Sequence, residues 1–553
     1  MKKISLTALL FIFIGESTVA QQSDTSPPAD SSQIVTVDTL SNIPEPTKKK
    51  SWNFSGDFGV YGEVYSVNGA EERRPSSSAR MFFRPSFTLF GNLGTSLDIV
   101  LSTEGNSARQ QINSFSAHPK WDWGTLHLGD FSHLFSNYTL KGVTMRGAGI
   151  ELNPGVFRLH VVGGRTKRAV EAGPTTSVYA QDLLGVKLGI GREGSSFIDI
   201  NVVRVEDDPN SLPIEIFMID SIDVDTTAAG DTLRQVGVTP QENLVVGANS
   251  RFSFMQNKLN FTGEFSGSAN NRNSESEEFF SEEIPSEVED VFTPTVSSSF
   301  DYAYTGEVAL KTKTFDAHGG YSYVGPGYVS LGVTSLMNDR KEIDAGLGLR
   351  LARGRVTFQG TYTAQEDNLA DQKLYTTTRT TYRFNATTRP VNQVSLVFNM
   401  MHNIMENDAT LDSAVVDNIA SSYSGTGMYQ FFLFRLNQSL TLNYTIQFTE
   451  DNNILRTGSD VTSQNITVSL MSTLSRSWSL AASTNLNTVD VENQGETDRK
   501  NYTAILNNRM FDSRMSNSFG VGLSTSDITD VTTLTLQSEI TVAASDAIRL
   551  AVK

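Results

Sequence analysis

The chain has 553 residues, of which 38% are hydrophobic, and a formal net charge of −17. That acidity argues against a nucleic-acid partner, because phosphate backbones are held mainly by clustered Lys and Arg. Cysteine is absent, which removes disulfides, thiol chemistry and Cys-ligated metals and leaves a large regular structure as the source of stability for a secreted chain.

In chain order, Lys2 and Lys3 precede an apolar run from Ile4 to Gly15. About a dozen apolar residues suit the core of a signal peptide and are too few to span a bilayer as a helix. Thr18-Val19-Ala20 offers small residues for cleavage, so residues 1–20 are read as a signal peptide with Gln21 as the mature N-terminus. No Cys follows the run, which excludes a lipid-anchored lipoprotein. Residues 21–51 are rich in Ser, Pro, Thr and Asp and read as a disordered leader. No later segment reaches the roughly 18 consecutive apolar residues of a membrane helix.

From residue 52 to 553 one pattern repeats. Apolar and polar side chains alternate over segments of about ten to fifteen residues, the β period of two. Between Leu440 and Phe448 every even position is apolar and every odd one polar. Val356, Phe358 and Tyr362 oppose Thr357, Gln359 and Thr361; Ala345, Leu347, Leu349 and Leu351 oppose Gly346, Gly348 and Arg350. Strands of soluble sandwiches are usually five or six residues long, whereas a tilted strand needs about 9–11 to cross a bilayer. The segments predict an all-β chain, a transmembrane antiparallel β-barrel of about 24 strands. Tyr328–Val333 is taken as loop; as a strand it would change the parity. The last segment, with Ile548, Leu550 and Val552 on one face, stops at Lys553 and leaves the seal of the barrel open.

The connections alternate in length. Tight ones are placed at Asn92-Leu93-Gly94, Asn153-Pro154-Gly155, Gln256-Asn257-Lys258, Arg353-Gly354, Arg389-Pro390, Asn437-Gln438, Ser475-Arg476-Ser477 and Asp512-Ser513. Longer, often acidic ones are placed at 67–78, 167–177, 206–240, 271–298, 324–340, 405–421, 451–459 and 490–497. Trp52, Trp121, Trp123 and Trp478 all fall beside the tight turns, with Phe90, Phe157, Phe254, Phe315, Phe434 and Phe511 near them. Amphipathic rings favour the membrane–water boundary, so this reads as an aromatic girdle on one side.

Signal peptide, alternation, sided loops and girdle together resemble the bacterial outer-membrane β-barrel superfamily, in a porin-like form, over residues 1–20 and 52–553. The resemblance implies a Gram-negative outer membrane, a leader lying in the periplasm, surrounding outer-membrane lipid and insertion by the barrel-assembly machinery. It leaves room for a periplasmic or surface protein partner. Gly325-Pro326-Gly327-Tyr328-Val329-Ser330-Leu331-Gly332 and Leu128-Gly129-Asp130-Phe131-Ser132 have the look of signatures without pointing to a narrower family. No globular plug precedes the first strand, unlike a TonB-dependent receptor.

The six histidines, His118, His127, His133, His160, His318 and His402, sit in no motif with a nucleophile. They read as ordinary surface or lumen residues, with no catalytic site, cofactor or metal assigned. Acidic runs at Glu275–Glu283 and Glu287–Asp290 lack Asp-x-Asp-x-Asp-Gly spacing and read as solvated loop. Arg350, Arg355, Arg379 and Arg383 fall on neighbouring segments and on the polar face. They are the basic lumen-lining candidates, expected to form a wall toward the periplasmic half, either free to select anions or paired with inward carboxylates. The function expected is a pore, or a translocation-channel component, narrowed inside by residues 206–240, by the 324–340 loop or by a partner. The alternative is a structural barrel that binds a surface partner through its acidic loops and passes no solute.

Overall fold

A computed structural model describes Ile12–Ile14 and most of Trp52–Val552; residues 1–11, 15–51, 65–76, 104–112, 172–175, 213–237, 280–291, 511–514, 527–530, 546–547, 553 and two single turn positions lie outside it. The leader, the loop proper of 206–240, Phe511, the Asp512-Ser513 turn and Glu287–Asp290 are therefore outside the described residues.

The chain is all-β. Long strands follow one another from Trp52–Val64 to Ile548–Val552, each paired antiparallel with the next, in one 26-stranded sheet that also includes Ile12–Ile14. Most strands have nine to seventeen residues, the length a tilted membrane strand needs. The last strand is short, and its outer edge pairs with Ile12–Ile14, Ile12 opposite Val552. Among the described residues no ladder joins Trp52–Val64 directly to Ile548–Val552.

The alternation decides which face points out. Ile343, Leu347 and Leu351, with Phe358, Tyr362, Tyr382 and Phe384 beside them in register, lie on the outer face. Phe265 is 55% exposed and Ile200 is 55% exposed. Isolated exposed apolar residues are ordinary, but an outer face made of them is not what a soluble protein presents to water. Aromatic contacts tie neighbouring strands along that face, such as Tyr302 with Tyr323 at 5.4 Å and Phe54 with Phe87 at 4.8 Å.

The connections are sided. On one rim every link has two to five residues, from 90–92 through 546–547. On the other rim ten links, from 65–76 to 452–460, have nine to 33 residues. Four expectations shift, the first being the turn placed at Asn92-Leu93-Gly94: Leu93 and Gly94 are already paired strand and the link is 90–92. The long loop expected at 490–497 is the three-residue turn Glu492–Gln494, because Asn493 and Gly495 take positive φ and Gln494 N–H closes on Val491 O at 2.9 Å. Arg389-Pro390 is not a turn; its strand, Thr377–Val391, runs on to a link at 392–393. Asn437-Gln438 is strand, and the chain reverses at Phe434 and Arg435, both at positive φ. Tyr328–Val333 is loop, as expected.

Candidate functional site: an occluded lumen

The inner face differs between the two halves of the sheet. All the buried hydrophobic clusters among the described residues lie between Phe131 and Tyr328. The two largest form because two loops of the long-link rim, 133–143 and 325–339, fold back against the inner face, while the smaller two join Tyr179 to Leu212 and Phe292 to Leu244 and Ala269. Phe135 and Leu140 pack on Val162, Leu183, Val203 and Val205, the inward side chains of adjacent strands. Tyr328, 1% exposed, packs with Tyr138 on Val245 and Ala303.

Hydrogen bonds fix both loops to the wall and to each other. Glu264, inward on its strand, accepts from the backbone N–H of Tyr138 at 2.8 Å and of Asn137 at 3.2 Å. Asn243 reads the second loop in both directions: its Nδ2 donates to Val329 O at 2.9 Å, and its Oδ1 accepts from Leu331 N–H at 3.0 Å. Ser268 also donates to Val329 O. Between the loops, Lys141 N–H donates to Gly332 O at 2.9 Å and Tyr328 OH donates to Tyr138 O at 3.0 Å. Burial pushes both phenols up, Tyr138 to about 12, so their hydroxyls stay protonated and able to donate. Gly332 is needed for the close approach: a Cβ there would stand 2.4 Å from Thr139 O.

Beside this plug lies a buried charge cluster. Arg158 Nε donates to Asp199 at 3.1 Å, with a second, shorter contact from its Nη2. Lys187 Nζ lies 3.5 Å from the other Asp199 oxygen. All three side chains are nearly fully buried, and Arg158 stacks over Phe197.

Four histidines converge next to this charge cluster, His160 lying opposite Lys187. His127 Nε2 lies 2.8 Å and His133 Nδ1 3.1 Å from the same oxygen of Glu151. His118 Nδ1 is 2.9 Å from His127 Nδ1, and His160 Nδ1 is 3.1 Å from His133 Nε2. His133 gets there because the chain leaves the strand Gly124–Ser132 and turns inward. Gly129 permits that strand's path at φ 89°, where a Cβ would collide with Phe115 O. Glu151 and His160 had no signal of their own in the sequence; only the register of Thr144–Leu152 against Phe157–Lys167, with Glu151 opposite His160, brings them in.

From Arg340 onward the inner face is mainly Asn, Ser and Thr, with Arg379, Arg383, Met401 and Met405 among them. Asn385 bonds to Asn399, Asn399 to Ser424 at 3.1 Å, and Asn443 to Thr426 at 2.7 Å. Asn485 bridges Asn465 and Thr467 at 3.0 and 2.8 Å. No described loop covers this ladder with apolar side chains, and no buried hydrophobic residue is found beyond Tyr328 among the described residues.

The candidate arginines are not one wall. Arg350 lies opposite Thr357, which lies opposite Thr387, so its level is eight residues from Arg379 and four from Arg383. That is roughly 26 and 13 Å along the strand. Arg355 is in the turn before Val356. Both strands start at the long-link rim, but Arg350 is next to last in Arg340–Leu351 whereas Arg379 is third in Thr377–Val391. Arg350 pairs with Asp316 at 2.6 Å, while Arg379 and Arg383 have no carboxylate within ion-pair distance among the described residues. Arg84 and Asp98 form another such pair at 3.1 Å. The tryptophans do gather at the short-link rim: Trp52 and Trp478 open their strands there, and Trp121 and Trp123 meet edge to face at 5.5 Å beside one link.

Long antiparallel strands, sided links and an apolar exterior over a polar or plugged interior are the features of a bacterial outer-membrane β-barrel. No family model matches the chain, and no curated protein matches it. Among solved structures it is similar to the E. coli P pilus tip assembly intermediate PapC-PapD-PapK-PapG, at 10% identity and a TM-score of 0.45, covering 99% of this chain and 68% of that one. It is similar to the P pilus usher (PapC) translocation pore at 10% identity and a TM-score of 0.38, covering 91% and 97%. A BenF-like porin from Pseudomonas fluorescens is similar at 9% identity and a TM-score of 0.28, covering 72% and 97%.

Proposed function

We propose that the protein is an outer-membrane channel with an internal constriction. On this reading residues 1–20 are a cleaved signal peptide, residues 21–51 a periplasmic leader, and the tryptophan rim the periplasmic boundary. The observation that carries it is the contrast inside the lumen. The loops 133–143 and 325–339 cover the inner face of one half with a hydrophobic plug, while the other half keeps a polar wall rich in Asn, Ser and Thr. A barrel of this strand number would be wide if empty, since diameter grows with strand number. The plug reduces that width to a passage along the polar wall. Arg379 and Arg383 line the passage without carboxylate partners among the described residues, which favours anionic or carboxylate-bearing solutes.

Single-channel recording tests this. The purified protein is expected to give small, anion-preferring steps, and Arg383→Ala is expected to shift the reversal potential toward neutrality. Large steps from the unaltered protein contradict the constriction. Absence of any conductance, together with impermeability in liposome swelling, contradicts the channel.

A further inference from the structure

We propose that the histidine cluster inside the lumen is a metal site for a borderline divalent cation such as Zn²⁺, held by His127 Nε2, His133 Nδ1 and Glu151. These three donors lie within 4.8 Å of one another, and all three side chains are largely shielded from water. Tetrahedral coordination with bonds of about 2.0–2.2 Å sets donors about 3.3 Å apart. The two nitrogens are already 2.8 and 3.1 Å from one carboxylate oxygen, so a small rotation of Glu151 admits the ion. Two imidazoles and one carboxylate are the donor set of an open zinc site, with the fourth position left to water or solute.

The second observation is the direction of the surrounding hydrogen bonds. With His127 bound through Nε2, its Nδ1–H donates to His118 Nδ1, 2.9 Å away. With His133 bound through Nδ1, its Nε2–H donates to His160 Nδ1 at 3.1 Å, and His160 Nε2–H donates to Asn153 Oδ1 at 3.1 Å. Every contact then pairs a donor with an acceptor. Without the ion, neutral His127 and His133 both donate to Glu151, His160 donates to His133, and the Asn153 amide has to turn over to offer its N–H to the bare His160 Nε2. Partners that fix the tautomer of each ligating imidazole are the usual outer shell of a metal site. Phe131 stacks on His127 at 5.2 Å and Phe135 lies edge-on to His133 at 5.3 Å, so the site is walled by one aromatic of the strand and one of the inward loop.

The ion has a structural consequence. His127 and Glu151 belong to the wall, and His133 belongs to the inward loop. Coordination clamps that loop at its root. Through the Lys141–Gly332 and Tyr328–Tyr138 bonds it also steadies the second loop. This inference rests on the inward docking of 133–143, not on solute passage, and its test reads metal rather than conductance.

The folded full chain in detergent, stripped with chelator, is titrated with Co²⁺ alone. A visible absorption band saturating at one ion per chain, and displaced by Zn²⁺, is expected. Glu151→Gln and His133→Gln are each expected to weaken binding at least tenfold. His118→Gln and Asn153→Ala are expected to weaken it about tenfold, the range for outer-shell partners. His318→Gln and His402→Gln are expected to leave it unchanged. Heat-modifiable gel mobility shows whether each variant is a folded barrel. If a variant does not fold, the unaltered chain answers: Zn²⁺ should protect His118, His127, His133 and His160, but not His318 or His402, from diethylpyrocarbonate, as read by mass spectrometry. No Co²⁺ band, a band that persists in folded Glu151→Gln and His133→Gln, or equal modification with and without Zn²⁺ overturns the proposal.

Discussion

The two halves of the inner wall obey the same strand pattern and end in opposite environments. In the half from Ser114 to Val324 the inward positions include Met145, Val162, Leu183, Val203, Val205 and Val245, all buried under two loops. In the half from Arg340 to Ser526 the inward positions are mainly Asn, Ser and Thr bonded along the wall, with Arg379, Arg383, Met401 and Met405 among them. The outer faces barely differ. What a strand places on its inner face therefore tells whether that stretch of lumen is filled by protein or by water. An apolar residue facing inward in a wide barrel needs a cover, because leaving it wet forgoes about 1.5–3 kcal/mol of burial.

The largest expected effect breaks this comparison outright. Replacing residues 326–337 with a short Gly-Ser linker removes Tyr328 and the Val329 carbonyl that Asn243 and Ser268 hold. Single-channel conductance should rise several-fold, whereas shortening 408–416, over the polar half, should leave it within experimental scatter.

Next comes the buried charge cluster, which has no counterpart among the described residues of the other half. Asp199→Ala strands Arg158 and Lys187 without their shared anion and should cost about 3–5 kcal/mol. Denaturant unfolding in detergent measures it. Asp98→Ala, which breaks the exposed pair with Arg84, should cost no more than about 1 kcal/mol.

A third change separates the faces rather than the halves. Leu347→Arg puts a charge on the outer face and should destabilise the barrel by about 2–4 kcal/mol in a bilayer, while Asn399→Arg, on the inner polar wall, should stay within about 0.5 kcal/mol. Folding titrations into lipid vesicles compare them.

The smallest effect concerns the latch between the second inward loop and the next outer loop. Burial pushes the Asp339 carboxyl up, but Lys373 at 2.6 Å and the N–H groups of Leu369 and Asn368 outweigh it and hold it below its ordinary value. Asp339 and Asp367 in turn push the Lys373 amine up. A lowered acid contributes stability above the ordinary aspartate range and loses it as pH falls through its folded value. A raised base keeps its contribution below the ordinary lysine value and loses it as pH climbs through the raised one. The latch should thus hold between these limits and loosen below about pH 4. Limited proteolysis at 368–376 should speed up on acidification, and Asp339→Asn should remove most of that pH dependence.

Much of the barrel was legible because its rules are local. The alternation through Leu440–Phe448 and Val356–Thr363 gave strands, and Trp52, Trp121, Trp123 and Trp478 marked one rim. The departures from alternation were the overlooked signal. Leu183-Leu184, Val202-Val203 and Leu244-Val245-Val246 carry apolar residues on both faces, which foretells an inner cover. The segments 128–132 and 325–332 stood out by eye and prove to be the approach to the first inward loop and the body of the second. The arginine wall failed because parity fixes the face of a side chain but not its height: Arg350 lies near the end of its strand, and Arg379 and Arg383 lie nearer the start of theirs. The histidine–glutamate cluster was out of reach, since it needs register across four strands and the path of a loop.

Because the chain contains no cysteine, single cysteines can map the water inside it against no background. The most direct measurement is the rate at which a hydrophilic, membrane-impermeant thiol reagent modifies Val203→Cys and Val245→Cys in the covered half, and Asn399→Cys and Asn443→Cys in the open half, in folded barrels. The two open-half positions should react at least a hundredfold faster, and the gap should close when residues 326–337 are replaced by the linker. Equal rates in the unaltered background would contradict the account of a half-occluded lumen.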